Sequence, residues 1–208
     1  MCHHYKGSRT PPEHLANEFS VRSNLYQLML PDEGFYPLDY PPIVRMSESG
    51  EREMVAAQWG LLPFWWRPTD RTPKRTTFQR KCFNARSEEA DVKPTFREAF
   101  KRRRCLLPAD EFFERGHYFH LPDFRPFAFA GLWEQWRGAD EVVESCTLLT
   151  AEANDEVRSV GHPRMPVILT KPEQYADWLQ IDRADRSAVE SLLQPLSDGE
   201  LLHYRAVR

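Results

Sequence analysis

The chain has 208 residues, 41% hydrophobic and 12% aromatic, with a net charge of −3. That is the composition of a folded protein and not of a disordered one, and it suits one domain that buries its core without covalent staples. No run of about eighteen apolar residues exists to form a membrane-spanning helix, and the polar start, broken by Pro11-Pro12, excludes a secretory signal.

In chain order, residues 11–17 read as a short helix, and "LPDEGFYPLDYPP" reads as an irregular loop pinned by prolines. "MVAAQWGLLPFWW" reads as a strand running into a turn, followed by a basic loop, "RPTDRTPKRTTFQRK". "KPTFREAFKRRR" places Phe96 and Phe100 four apart, the spacing of an amphipathic helix. "CLLPADEFFERGHYFHL" reads as strand, turn, strand, with Gly116 at the reversal. "PFAFAGLWEQW" and "VVESCTLLTA" are further strands, and Asn154 caps a short helix in "NDEVRSV". "RMPVIL" is strand-like, "PEQYADWL" and "RSAVESLL" are helices, and "LLHYRAV" closes as a strand.

Strands dominate the middle without regular βαβ alternation. The expectation is therefore α+β, one domain over residues 1–208 with a mixed, barrel-like, antiparallel-rich sheet and peripheral helices. Seventeen prolines against nine glycines imply many fixed turns, and no repeat or linker interrupts the chain.

Charge is segregated. Residues 67–104 carry thirteen Lys/Arg against five Asp/Glu, which leaves the remainder acidic. Such a segment forms either a basic face for a polyanion or a solvated loop and helix. The four cysteines, at positions 2, 82, 105 and 146, form no CxxC pair. Free thiols in a reducing cytoplasm are expected.

Cys2 stands directly behind the initiator methionine, which is commonly excised before a small residue. Excision would leave an amine and a thiol on adjacent carbons. Such a pair condenses with an aldehyde to an imine, and the thiol then closes a thiazolidine ring. The α-amine, with a pKa of ~7.7–8.0, is partly neutral at physiological pH and can attack without burial. Taken by itself, position 2 more often holds a small residue with no role.

Other candidates are individually weak. Glu114, behind Phe112 and Phe113, is a raised-pKa general acid if it faces apolar surroundings and an ordinary strand residue if it faces out. His162, between Gly161 and Pro163, suits proton transfer, although loop histidines commonly serve only to bond backbone. Arg164 and Arg86 have the fork that takes a phosphate, and Asn84 has an amide for a hydroxyl or amine. Trp59, Trp65 and Trp66 flank the basic stretch that ends in Arg80 and Lys81. They either stack on unpaired bases or belong to the core.

Taken jointly and in order, Met1-Cys2, "WGLLPFW", "FNARSE", "RRCLLPADEFFE", "FAFAGLWE", "LLTAEAN" and "HPRMPVIL" resemble the SOS-response-associated peptidase family of abasic-site shielding proteins. The resemblance implies a single α+β domain that binds abasic sites in single-stranded DNA. It further implies that Cys2, exposed by autocatalytic loss of Met1, captures the ring-opened sugar aldehyde as a thiazolidine. On this mapping Asn84 positions the amine or the sugar, Glu114 shuttles protons, and His162 assists ring opening and reversal. Arg86 and Arg164 hold flanking phosphates, with Arg80, Lys81, Trp59 and Trp65 as further DNA contacts. No metal or cofactor is implied, and a monomer in the cytoplasm, on the nucleoid when DNA-bound, is expected. The sequence departs from the family's pattern at His3-His4, where Gly-Arg is usual, in "LYQLMLPDEGFYPLDYPP", at Ala151 and at Arg115.

Three other readings remain. Cys2 and His162 could serve a peptidase acting on other proteins. An N-terminal Cys-His-His could chelate Cu(II) or Ni(II) in square-planar geometry. The chain could also bind DNA without crosslinking to it.

Overall fold

The computed structural model describes residues 2–7, 9–21, 30–180 and 186–206. Met1 and the beginning of the departing stretch from residue 25 lie outside the described residues.

The first half of the chain contributes β1 (Tyr5–Lys6), α1 (Pro12–Glu18), β2 (Pro42–Met46), β3 (Arg52–Ala56), β4 (Gln58–Trp59), α2 (Arg75–Gln79), β5 (Asn84–Arg86) and α3 (Arg97–Arg102). Then come β6 (Arg104–Ala109), β7 (Glu111–Glu114), β8 (His117–His120), β9 (Phe127–Arg137) and β10 (Val142–Glu152). The rest is α4 (Asp155–Ser159), β11 (Arg164–Pro166), β12 (Ile168–Leu169), α5 (Pro172–Leu179), a 3₁₀ segment over Arg186–Leu193, and β13 (Leu202–Arg205).

Two sheets result. The small one has the order β1-β7-β8-β13. The large one runs β11-β10-β9-β6-β2-β3, with β12 on β9 and with β4 and β5 on β10. Pairing is antiparallel except where β4 and β5 join β10, and the sheet curls as a half-barrel. The expected α+β class is what the chain adopts.

Alternate residues of the central strands feed two separate cores, as the two-residue period of a strand dictates. Leu106, Ala128, Ala130, Leu132 and Leu149 pack with Phe100, Tyr175, Trp178 and Val189 on the helical side. Cys105, Leu107, Phe127, Phe129, Cys146 and Leu148 pack with Tyr5, Phe112 and Phe119 of the small sheet. With both faces covered, β6 and β9 read as continuous apolar runs rather than alternating ones.

Local signals explain the punctuation. Asn154 Oδ1 accepts from the Val157 amide at 3.1 Å and caps α4. Arg115 and Gly116, at φ 50° and 83°, make the tight reversal between β7 and β8. Phe96 and Phe100 are both buried beside α3. Three expectations change in detail. The basic loop contains the short helix α2, "RMPVIL" breaks at Val167 into β11 and β12, and the last helix is 3₁₀.

One junction positions the site. β9 and β10 pair as far as Gly131 and Leu148 and then part. Residues 164–169 enter the gap, where the Val167 amide donates to Leu149 and the Val167 carbonyl accepts from Ala130. On the opposite edge of β10, β4 and β5 follow one another, joined through a crossing in which the Gly60 carbonyl accepts from Gln79 Nε2 at 2.8 Å. Among the described residues, no helix is long and apolar enough to cross a membrane.

Gly60 sits at φ +135°, and a Cβ there would meet the Gln79 carbonyl oxygen at 2.8 Å. Strain and backbone clash together predict that Gly60→Ala destabilises the fold by about 2 kcal/mol. Calorimetry should find Tm lower by about 4–8 °C, and an unchanged Tm contradicts the crossing as described.

Candidate functional site

The start of the chain is held by three sets of bonds. Tyr5 and Lys6 pair with Phe112 and Glu111 of β7, the Phe113 amide donates to the His4 carbonyl at 2.9 Å, and Asn84 Nδ2 donates to the Cys2 carbonyl at 2.7 Å. These bonds bring residue 2 to where β5, β7 and the loop before β11 converge. Cys2 is 1% exposed. Burial, and after it the negative charge of Glu114, pushes its thiol up to about 12.

Glu114, the last residue of β7, is buried and lies 3.6 Å from His162 Nε2. His162 Nδ1 is 2.7 Å from the Arg164 carbonyl oxygen. A carbonyl can only accept, so at this shorter contact Nδ1 donates, while the Arg164 amide lies 3.3 Å from the same nitrogen. The remaining polar group is the Asn84 side-chain oxygen, which is buried and accepts no hydrogen bond among the described residues. The result is an amide, a carboxyl and an imidazole gathered around a protonated thiol. That set can move protons and orient a nucleophile.

The four residues proposed as catalytic therefore lie together, while the six proposed DNA contacts divide. Arg86 is exposed, with Glu89 3.9 Å away. Arg80 and Lys81 are exposed, and neither forms an ion pair among the described residues. Trp65 is 42% exposed, its indole N–H donating to the Pro94 carbonyl at 3.2 Å, so it offers a surface for stacking. Trp59 is a correction. It is fully buried against Tyr5 and Phe83 and donates to the Phe83 carbonyl at 2.7 Å, leaving no face for a base. Arg164 turns its fork onto Glu88, with both bonds 2.8 Å long.

The basic segment is less basic at its surface than its count implies. Arg104 is buried between the rings of Phe100 and Trp178, and burial brings its guanidinium down to about 10. Arg103 pairs with Glu134, and Arg75 with Glu141.

Two features escaped the sequence reading. Glu88 stands in the quoted "FNARSE", and the nearby arginines were its only signal. Tyr36 lies in the proline-rich loop and stacks on His4 with ring centroids 4.3 Å apart, which nothing local foretells. His4 also meets the Glu33 carbonyl at 2.6 Å through Nε2. A square-planar chelate at residues 2–4 would have to strip that segment from β7. Among the described residues, no three His, Cys, Asp or Glu side chains cluster to hold a metal ion.

The family model described as SOS response associated peptidase (SRAP) matches residues 1–208. The chain belongs to that family. One relative is abasic site processing protein YoqW of Bacillus subtilis, 31% identical over 170 residues, which are 77% of this chain and 72% of the relative. Abasic site processing protein HMCES of Xenopus tropicalis is 26% identical over 180 residues, 73% of this chain, and the match spans 52% of that longer relative. A crystal structure of a Bacteroides thetaiotaomicron protein superposes with a TM-score of 0.84 at 26% identity, over all of this chain and 92% of that one.

The Cys2 environment makes a direct prediction for the chain bearing Met1. Iodoacetamide at pH 7.5 should alkylate Cys2 at least about 10³-fold more slowly than in the denatured chain, the ratio expected from raising a thiol from 9.0 to about 12. Mass analysis of the N-terminal peptide follows the reaction, and equal rates would contradict the burial.

Proposed function

We propose that this SRAP protein processes abasic sites in single-stranded DNA by capturing the ring-opened sugar aldehyde on Cys2 once Met1 has been removed. The observation that carries this reading is the convergence of Asn84, Glu114 and His162 on residue 2, with Asn84 bonded to the Cys2 main chain. The names of the curated relatives support the substrate.

The chemistry begins with hydrolysis of the Met1–Cys2 peptide, which consumes one water and frees the amine. The neutral amine then attacks the aldehyde carbon to give a carbinolamine. Loss of water, with Glu114 returning a proton to the departing hydroxyl, leaves an imine. The Cys2 sulfur adds to the imine carbon, its proton passes through Glu114 to nitrogen, and the thiazolidine closes with no change of oxidation state. The unused Asn84 oxygen suits an amine N–H and would aim the nitrogen lone pair. The His162 Nε2 lone pair suits the sugar hydroxyl whose deprotonation opens the ring, and the same step in reverse.

An aldehyde on DNA is accessible where the strand is unpaired, so cations and an exposed ring beside the site are expected to hold the backbone and flanking bases. Arg86, Arg80, Lys81 and Trp65 meet that description. A peptidase acting on other proteins finds less support. Such an enzyme needs a low-pKa thiol as its first attacker, whereas burial keeps the Cys2 thiol protonated; aldehyde capture instead starts from the amine.

Incubation with an abasic single-stranded oligonucleotide should give a heat-stable band on a denaturing gel, and an intact mass lacking one methionine and carrying the DNA. Cys2→Ala should abolish the band. Glu114→Gln should slow its formation by about 10²-fold or more, and His162→Ala should slow release more than formation. Absence of the band in wild type refutes the reading, and wild-type rates in both variants refute the roles.

A further inference from the structure

We infer that Glu88 is a positioning residue that locks the His162 loop against the strand bearing Asn84, acting through the side chain of Arg164. The inference rests on the reading of those residues as one site. Both segments need such a lock. β5 is three residues long and pairs with β10 only at Leu148–Thr150. His162 lies in the turn before β11, itself three residues long, and its ring is oriented through the Arg164 carbonyl.

The Arg164 guanidinium joins these pieces. One edge donates to both Glu88 oxygens at 2.8 Å, the fixed fork geometry that only a carboxylate or phosphate matches. Its other edge reaches Thr150 of β10, donating from Nε to Oγ1 at 3.3 Å and from Nη2 to the carbonyl at 2.5 Å. The Ser87 amide donates to that same carbonyl at 2.9 Å. Asn84 is four residues before Glu88 and His162 two before Arg164, so one planar cation sets the spacing of both arms of the site.

Exposure separates this role from a bulk structural one. The Glu88 side chain is 47% exposed and that of Arg164 14%. A pair at such a rim adds little to overall stability, whereas a small displacement of a proton-transfer group can cost about 10²-fold in rate. Loss of Glu88 should therefore be felt in the site rather than in the melting curve.

The test uses Glu88→Ala and Glu88→Gln in the full chain. Long-range proton–nitrogen NMR of the imidazoles, with His162 assigned through His162→Ala, should show the Nδ1–H tautomer in wild type. Glu88→Ala should give mixed or broadened His162 signals and Glu88→Gln signals nearer wild type, with Tm lowered by less than about 3 °C in either. With saturating abasic single-stranded DNA, the adduct rate of Glu88→Ala should fall about 10-fold or more. In a Cys2→Ala background, affinity for intact single strands should change less than about 2-fold.

Unchanged His162 signals in Glu88→Ala overturn the inference. So does tighter DNA binding with a salt slope steeper by about 0.7, which would make Glu88 a mere occupant of a phosphate site. If wild type forms no adduct, the proposed chemistry fails while the imidazole spectrum still decides the role of Glu88.

Discussion

The bond from the Asn84 amide to the Cys2 carbonyl is the contact on which the arrangement depends. Chain termini fray unless they are tied down, and β1, two residues long, is too short to hold an end by itself. The Phe113 amide extends its ladder to His4, and Asn84 reaches residue 2. β7 belongs to the small sheet and Asn84 to a strand of the large one, so the first residues link the two sheets. The position of Cys2 is thus set by the fold as a whole.

The parting of β9 and β10 is what makes room for the other side chains. A continuous ladder would bury that end of β10 in regular pairing. Residues 164–169 instead enter between the strands and satisfy the freed groups through Val167. His162 and Arg164 arrive at the edge of the opening. A buried polar cluster of this kind is costly unless each member is bonded. Asn84 Oδ1, which accepts nothing among the described residues, is therefore a conspicuous place for an incoming donor.

Much of the fold was legible because its signals are local. The Asn154 cap, the Arg115-Gly116 reversal and the Phe96/Phe100 spacing each act within a few residues. What was not legible depends on distant partners. Trp59 looks like Trp65 in sequence, yet its indole finds the Phe83 carbonyl inside the core while Trp65 finds Pro94 at the surface. Arg104 counts as a surface charge until Phe100 and Trp178 close over it. The site was legible in a different sense. Cys2, Asn84, Glu114 and His162 are each unremarkable alone, and the ordered set of motifs united them. Glu88 was passed over because a glutamate in a basic stretch resembles a solvated counter-charge, and only the bidentate geometry tells otherwise.

The protonated state of the Cys2 thiol bears on the order of events in the proposed chemistry. In the chain bearing Met1, burial pushes the thiol up to about 12, so it stays protonated at neutral pH. A thiol so protected resists oxidation and stray electrophiles. It is also a poor first attacker on an aldehyde, which leaves that step to the amine. Once an imine forms, its carbon is a neighbour of the sulfur within one five-membered ring, and proximity replaces intrinsic reactivity. The thiol proton must then leave as the C–S bond forms. The Glu114 carboxyl, whose charge is among the causes of the raised thiol, is the group proposed to take it. The feature that makes Cys2 look inert as a free nucleophile is thus compatible with the ring closure proposed for it.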